Sequence, residues 1–394
     1  MSALPLTTPP AAPRGETITE CARLEWRSGA PGDPLGLLAA FLADHGLLAA
    51  DLCRPTRPGP TVGAAVYVSA AAAATAIGAP PGAPTPAPAL PDVVAVAYRR
   101  AARTAPPGDR RPAADGAAWR LGEWAASWTD AAHADAVRAL RAAIARGDVY
   151  QANLVGHARA RYRGDPGPAL AAVAALPGAR YGGVLTGAGW ALASASPETL
   201  VEVRGGVATT RPIKGTRPAT AAGRAALRDS AKERAEHIMI VDLARNDVAH
   251  VARTGGVAVE SLYAVRRWCD LWQAESVVTA ALADGVDLPT LLRALAPGGS
   301  VTGAPKRAAL AQIAALEPVG RGAAMGVLGW VGPDHLDLGL TIRTVAADAT
   351  HLHVWAGGGI TWGSDPAAEV AEAAAKAAPL RRALAGPGGV PHRR

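Results

Sequence analysis

The chain has 394 residues, 49% of them hydrophobic, enough for one large domain or two ordinary ones with an ample core. Its net charge of +7 comes from arginines interleaved with acidic residues, and aromatic residues make up only 4%. A basic stripe and a stacking platform are both missing, which argues against nucleic acid and leaves an anionic small molecule as the better partner.

Taken in chain order, the opening dozen residues read as a loop with neither a basic nor an apolar leader segment, so no secretory signal is expected. Residues 62–79 carry no charge and reach spanning length. They are mostly Ala and Gly, too weakly apolar for a membrane helix, and read as a strand followed by a small-residue segment. Pro-rich runs at 79–91 and 103–116 read as loops. They separate a variable leading portion, 1–120, packed on the main fold, from a denser portion, 121–385, and a flexible tail, 386–394.

Within that denser portion, helical periodicity covers 131–146, 221–252, 304–316 and 366–384. Strand-like runs fall at 181–186, 190–194, 199–203, 323–331, 336–346 and 351–355. Strands in meander order broken by long helices predict an α+β protein with mostly antiparallel sheets. Cys21, Cys53 and Cys269 are odd in number and form no CxxC pair, which points to a reducing compartment, the cytoplasm, without a disulfide framework or a zinc ribbon.

Several short segments could carry chemistry. Glu233 and Glu236 are three residues apart in KERAEHIMIVDLARND, and Glu369 and Glu372 repeat that spacing in AAEVAEAAAKA. Each pair shares a helical face, either an ordinary solvated one or one that supplies oxygen ligands to Mg²⁺. GGSVTGAPK at 298–306 places a glycine-framed loop before a helix and fails the Walker A spacing. AGGGI at 356–360 follows a strand; either glycine cluster could equally be a plain turn. GDVYQANL at 147–154 presents Gln151, an uncharged donor and acceptor, and ASPE puts Glu198 at the head of a strand, where exposure is the default. Lys214, in PIKGTRP, is one of only four lysines in the chain. A deprotonated lysine amine is a nucleophile, which arginine is not.

These segments, with TIRT at 341–344, occur in an order that resembles the chorismate-utilising enzymes, a family that includes anthranilate, aminodeoxychorismate, isochorismate and salicylate synthases. The resemblance covers about 125–384. It implies a two-sheet, mostly antiparallel sandwich with outer helices and an active site in the cleft between its halves. It further implies Mg²⁺ held by Glu236 and Glu372 with Glu233 and Glu369 close by. A pocket for chorismate would be lined by Gln151, Thr216, Thr302, Gly303, Arg343, Gly357, Gly358, Gly359 and Lys376.

The 2-aminating and isochorismate-forming members resemble the chain around 211–218 but have Ala in the place of Lys214, whereas the 4-aminating branch has Lys. The resemblance therefore implies that Lys214 adds to ring carbon 2 of chorismate while Glu198 protonates the departing 4-hydroxyl. Ammonia then enters at carbon 4. Water-using relatives carry a lysine where Gln151 stands, which again implies ammonia. None of the cysteine contexts TECAR, DLCRP and RWCDL makes a glutaminase elbow, so a separate glutamine amidotransferase subunit is the expected source.

The 4-amino product would feed 4-aminobenzoate and folate or a specialised metabolite. Gln273 occupies the place of a family histidine linked to pyruvate loss, and Ala219 that of an arginine. An anthranilate or 2-amino-2-deoxyisochorismate synthase, and a non-catalytic chorismate-binding relative, are the alternatives.

Overall fold

The computed structural model describes residues 16–102 and 119–386. The expected loops at the start of the chain and at 103–116, and all but the first residue of the expected tail, lie outside the described residues. Among those described, no helix is long and apolar enough to cross a membrane.

Two antiparallel sheets organise the chain, as the α+β expectation requires. The first has ten strands. Glu16–Trp26, Val93–Ala102 and Thr61–Val68 form one flank, and Val327–Val331, His335–Leu340, Thr199–Arg204 and Val207–Arg211 continue it. Its far end is the strand Leu271–Leu282, which has Ala252–Trp268 along one side and both Val207–Arg211 and Ile213–Pro218 along the other. The second sheet is built on Gln151–Arg163 and His351–Ile360, which pair over ten residues, followed by Thr344–Ala347, Trp190–Ser196 and Tyr181–Gly187. The main core lies between the sheets and takes in Val66 and Val94 from the leading portion with Leu192, Val203, Val278 and Trp355 from the rest. Burial of those apolar faces holds the sheets together.

Several elements differ from expectation for local reasons. The helix expected over 221–252 is two, Ala221–Asp229 and Ala231–Ala249. Between them Ser230 is extended (φ −74°, ψ 110°), and its hydroxyl accepts the Glu233 N–H as an N-cap. The strand expected over 336–346 divides into His335–Leu340 and Thr344–Ala347. Arg343 stands in the gap at φ 52°, a left-handed conformation outside the β region that interrupts the strand. Residues 323–326 precede the strand Val327–Val331 instead of joining it. Conversely, the strand starting at His351 runs on through all three glycines to Ile360.

Candidate active site

Pro212 separates the strands Val207–Arg211 and Ile213–Pro218, which lie end to end along Leu271–Leu282. The strand Thr199–Arg204 covers only the first of them, its last partner pair being Arg211 with Thr199. From Ile213 onward the ladder is therefore open on that side. Glu198, one residue before the covering strand, stands at the opening and accepts the Ile213 N–H at 3.4 Å. A bulge follows at Gly215 (φ 74°), between the pairs Lys214–Ala274 and Thr216–Gln273. Lys214 and Thr216, on either side of the bulge, both line the cleft.

The cleft encloses about 850 Å³ counted out to its mouth. Its opposite wall is the pairing of His351–Ile360 with Gln151–Arg163, where Gly359 opposes Asn153. A side-chain carbon at Gly359 would collide with Lys214 Nζ and lie 2.8 Å from Gln151 Nε2. Gly358 does not itself line the cleft, but a side-chain carbon there would lie 2.9 Å from Glu369 Oε2 and 3.7 Å from Lys376 Nζ, and at Gly357 it would strike the Leu154 carbonyl. Gly357 and Gly359 line the cleft with Asn153, Ser300, Arg343 and Lys376.

Thr302 and Gly303, expected in the pocket, stand behind its wall. The Thr302 hydroxyl donates to the Gly298 carbonyl (2.9 Å), and Thr302 borders a separate, smaller cavity. Gly303 pairs with Ala152 and has no room for a side chain against the Gln151 carbonyl. The residue of that loop that reaches the cleft is Ser300, whose hydroxyl donates to Glu198 Oε1 at 2.6 Å. Nothing in the spacing of GGSVTGAPK distinguished Ser300 from its neighbours.

The four glutamates all line the cleft. The helix Ala231–Ala249 brings Glu233, paired with Arg217 at 2.7 Å, and Glu236, which accepts the Thr361 hydroxyl at 3.0 Å. The helix Pro366–Ala385, capped by Asp365, brings Glu369, Glu372 and Lys376. Lys376 joins Glu372 at 2.6 Å and donates to the Gly357 carbonyl at 2.9 Å. Burial, and after it the Glu372 charge, push the Glu369 carboxyl up, while Lys376 holds Glu372 down. Among the described residues no three His, Cys, Asp or Glu side chains already stand in metal-holding geometry. The donors are nonetheless all carboxylate oxygens, with mutual repulsion at Glu369 and Glu372 for a cation to relieve. That fits Mg²⁺, which keeps several waters and takes one or two carboxylates together with an anionic ligand.

Electrostatics divides the site into acid, base and anion-binding parts. Glu198 is 4% exposed, and burial pushes its carboxyl up to about 7 against the pull of the Ser300 and Ile213 hydrogen bonds and the Lys214 and Arg343 charges. Burial, reinforced by Lys376, lowers the Lys214 amine below its ordinary value. Arg343 is buried over the face of Trp268 (4.7 Å to the ring centre), and burial lowers its guanidinium to about 10. It makes no ion pair among the described residues, and its Nε has no partner, a guanidinium prepared for a carboxylate. His237, unforeseen from the sequence, is fully buried and kept neutral with a pKa of about 4, chiefly by burial and then by Lys214. Its Nε2 contacts the Ser276 hydroxyl at 2.5 Å. Gln273 is buried opposite Thr216 and does not line the cleft.

The fold is a two-sheet α+β sandwich whose central cleft sets lysine and arginine beside four helix-borne glutamates. The chain belongs to the family of chorismate binding enzymes, whose pattern matches residues 90–382. It is 40% identical over 257 residues to anthranilate synthase component 1 of Streptomyces coelicolor, covering 63% of this chain and 50% of that protein. It is 39% identical over 256 residues to aminodeoxychorismate synthase component 1 of Klebsiella aerogenes, covering 63% and 57%. The chain thus matches little more than half the length of these curated relatives. Among solved structures, anthranilate synthase component I of Streptococcus pneumoniae superposes with a TM-score of 0.76 at 23% identity, over 94% of this chain and 93% of that one.

Proposed function

We propose that the protein aminates chorismate at ring carbon 4, giving 4-amino-4-deoxychorismate, with ammonia delivered by a separate glutamine amidotransferase subunit. The observation that carries this reading is the meeting, on one wall of the cleft, of a lysine amine held below its ordinary pKa and a carboxyl held near neutrality. Replacing a hydroxyl by an amine at the same carbon with retained configuration calls for two allylic displacements. Lys214 and Glu198 supply the first.

The unprotonated Lys214 amine adds at carbon 2, both double bonds of the conjugated ring diene shift by one position, and the 4-hydroxyl leaves as water with the Glu198 proton. This leaves a secondary ammonium on Lys214 and a carboxylate on Glu198, so charge balances. Ammonia then adds at carbon 4, both double bonds shift back, and lysine departs as the free amine. The new ammonium group returns a proton to Glu198, which restores both residues. Arg343 and Lys376 bind the substrate carboxylates, the first bidentately and the second as a point charge. Mg²⁺, bound by Glu236 and Glu372 with Glu233 and Glu369 close by, would anchor the ring carboxylate and draw electron density toward it.

The test is incubation of the purified chain with chorismate, Mg²⁺ and an ammonium salt. A 4-amino product, identified by mass and by lyase conversion to 4-aminobenzoate, is expected. Fluorescent anthranilate would replace this reading with 2-amination, and absence of turnover would leave a binding protein. Lys214→Ala is expected to abolish 4-amination.

A further inference from the structure

We infer that Asn153, with Gln151, forms the site that holds ammonia for the second displacement. The inference rests on the 4-amination reading and deepens it. Gln151 is fully buried and Asn153 is 6% exposed, yet both Gln151 amide atoms and Asn153 Oδ1 lack any hydrogen-bond partner. An orphaned buried amide is costly, on the order of 1–3 kcal/mol. Two of them, two residues apart on one strand face, mark a place where a polar ligand belongs.

The Asn153 amide is oriented by a single long contact. Its Nδ2 reaches the Ser300 carbonyl at 3.5 Å, which turns Oδ1 away as a bare acceptor. Ser300 in turn holds Glu198 through its hydroxyl, so that acceptor lies one residue from the acid whose proton releases the 4-hydroxyl. Gln151, expected in the pocket, does not itself line the cleft; it stands just behind, beside Lys214 across Gly359. The two amides therefore span the space between the leaving hydroxyl and the departing lysine.

Their chemistry suits ammonia. Ammonia carries three N–H donors and one lone pair, and only acceptors can turn the lone pair toward carbon. A carboxylate would also accept, but its charge would favour ammonium, which has no lone pair to give. A neutral amide oxygen orients ammonia without protonating it. The transferred nitrogen forms its bond to carbon 4 and gives its surplus proton to the Glu198 carboxylate.

The experiment uses the full chain with chorismate, Mg²⁺ and ammonium chloride. Asn153→Leu, close in shape but without an acceptor, is expected to raise the KM for ammonia at least tenfold with the chorismate KM within twofold. Adduct formation on Lys214 without ammonia, read by intact mass as a gain of chorismate less one water, should keep its rate. Asn153→Asp, nearly isosteric and the safeguard if Asn153→Leu does not fold, should form the adduct normally and lose at least tenfold in kcat at saturating ammonium. Ammonia kinetics unchanged in the folded variants, or chorismate and ammonia KM rising together, overturns the assignment. If the unsubstituted chain makes no 4-amino product, the reaction itself is wrong; if it does and the variants match it, only the ammonia site is.

Discussion

The Lys214 amine occupies the space that a side chain on Gly359 would fill. The clash is with the far end of a flexible side chain, so Gly359→Ala should displace the amine and leave the two-sheet core intact. Turnover is expected to fall at least ~100-fold, the usual penalty for about an ångström of misplacement, with the melting temperature nearly unchanged. Full activity in Gly359→Ala would remove Lys214 from the reaction path.

Glu198 sets stability against chemistry. With its folded pKa raised to about 7 from an ordinary 4.5, it contributes stability that is complete below the unfolded value and lost as pH rises through about 7. Glu198→Gln avoids that loss. Denaturation at pH 8 should show it more stable than the parent by up to about 3 kcal/mol, the gap closing by pH 4.5, while 4-amination disappears. A variant less stable than the parent at pH 8 would contradict the burial penalty.

The same group shapes the rate. On the proposed mechanism, adduct formation on Lys214, followed in single turnovers without ammonia, should decline as pH rises past about 7, where Glu198 loses its proton. The Ser300 hydroxyl bond holds that pKa down, so Ser300→Ala should carry the decline to higher pH. A decline that stays put in Ser300→Ala would assign it to another group.

Glu236→Gln and Glu372→Gln should each weaken Mg²⁺ affinity by roughly tenfold or more, read with Mn²⁺ by electron paramagnetic resonance as well as by activity. Unchanged binding in both would move the metal elsewhere.

The pair Glu317–Arg321 is almost completely buried at 2.7 Å. Arg321 also donates to the carbonyls of Val301 and Asn153, two residues that line the cleft. Arg321→Met leaves Glu317 buried without its cation and should cost about 3–5 kcal/mol in chemical denaturation. A loss under 1 kcal/mol would mean that the strut bears little.

How much of this was legible depends on what each residue answers to. The helices carrying the glutamates were readable because long runs of helix-forming residues are a local signal. The break at Ser230 was not, since a serine between two helical runs looks like another helical position until its extended backbone is seen. The hairpin Ala252–Trp268 with Leu271–Leu282 escaped because much of its first strand is exposed on both faces, leaving no alternation to detect. Lys214 stood out by rarity. Ser300, Asn153 and His237 did not, because their roles arise from partners 102, 147 and 39 positions away. Thr302 and Gly303 were expected in the pocket from the family resemblance alone, whereas the backbone turns them behind it.

Lys214 belongs to one sheet and the amides and glycine beside it belong to the other, each sheet held by its own ladder. A slip of one slab over the other would leave every ladder whole and still pull Lys214 out of line with Gln151. Catalysis is thus a gauge of registry across the apolar seam, and warming should silence the protein some degrees before its secondary structure melts.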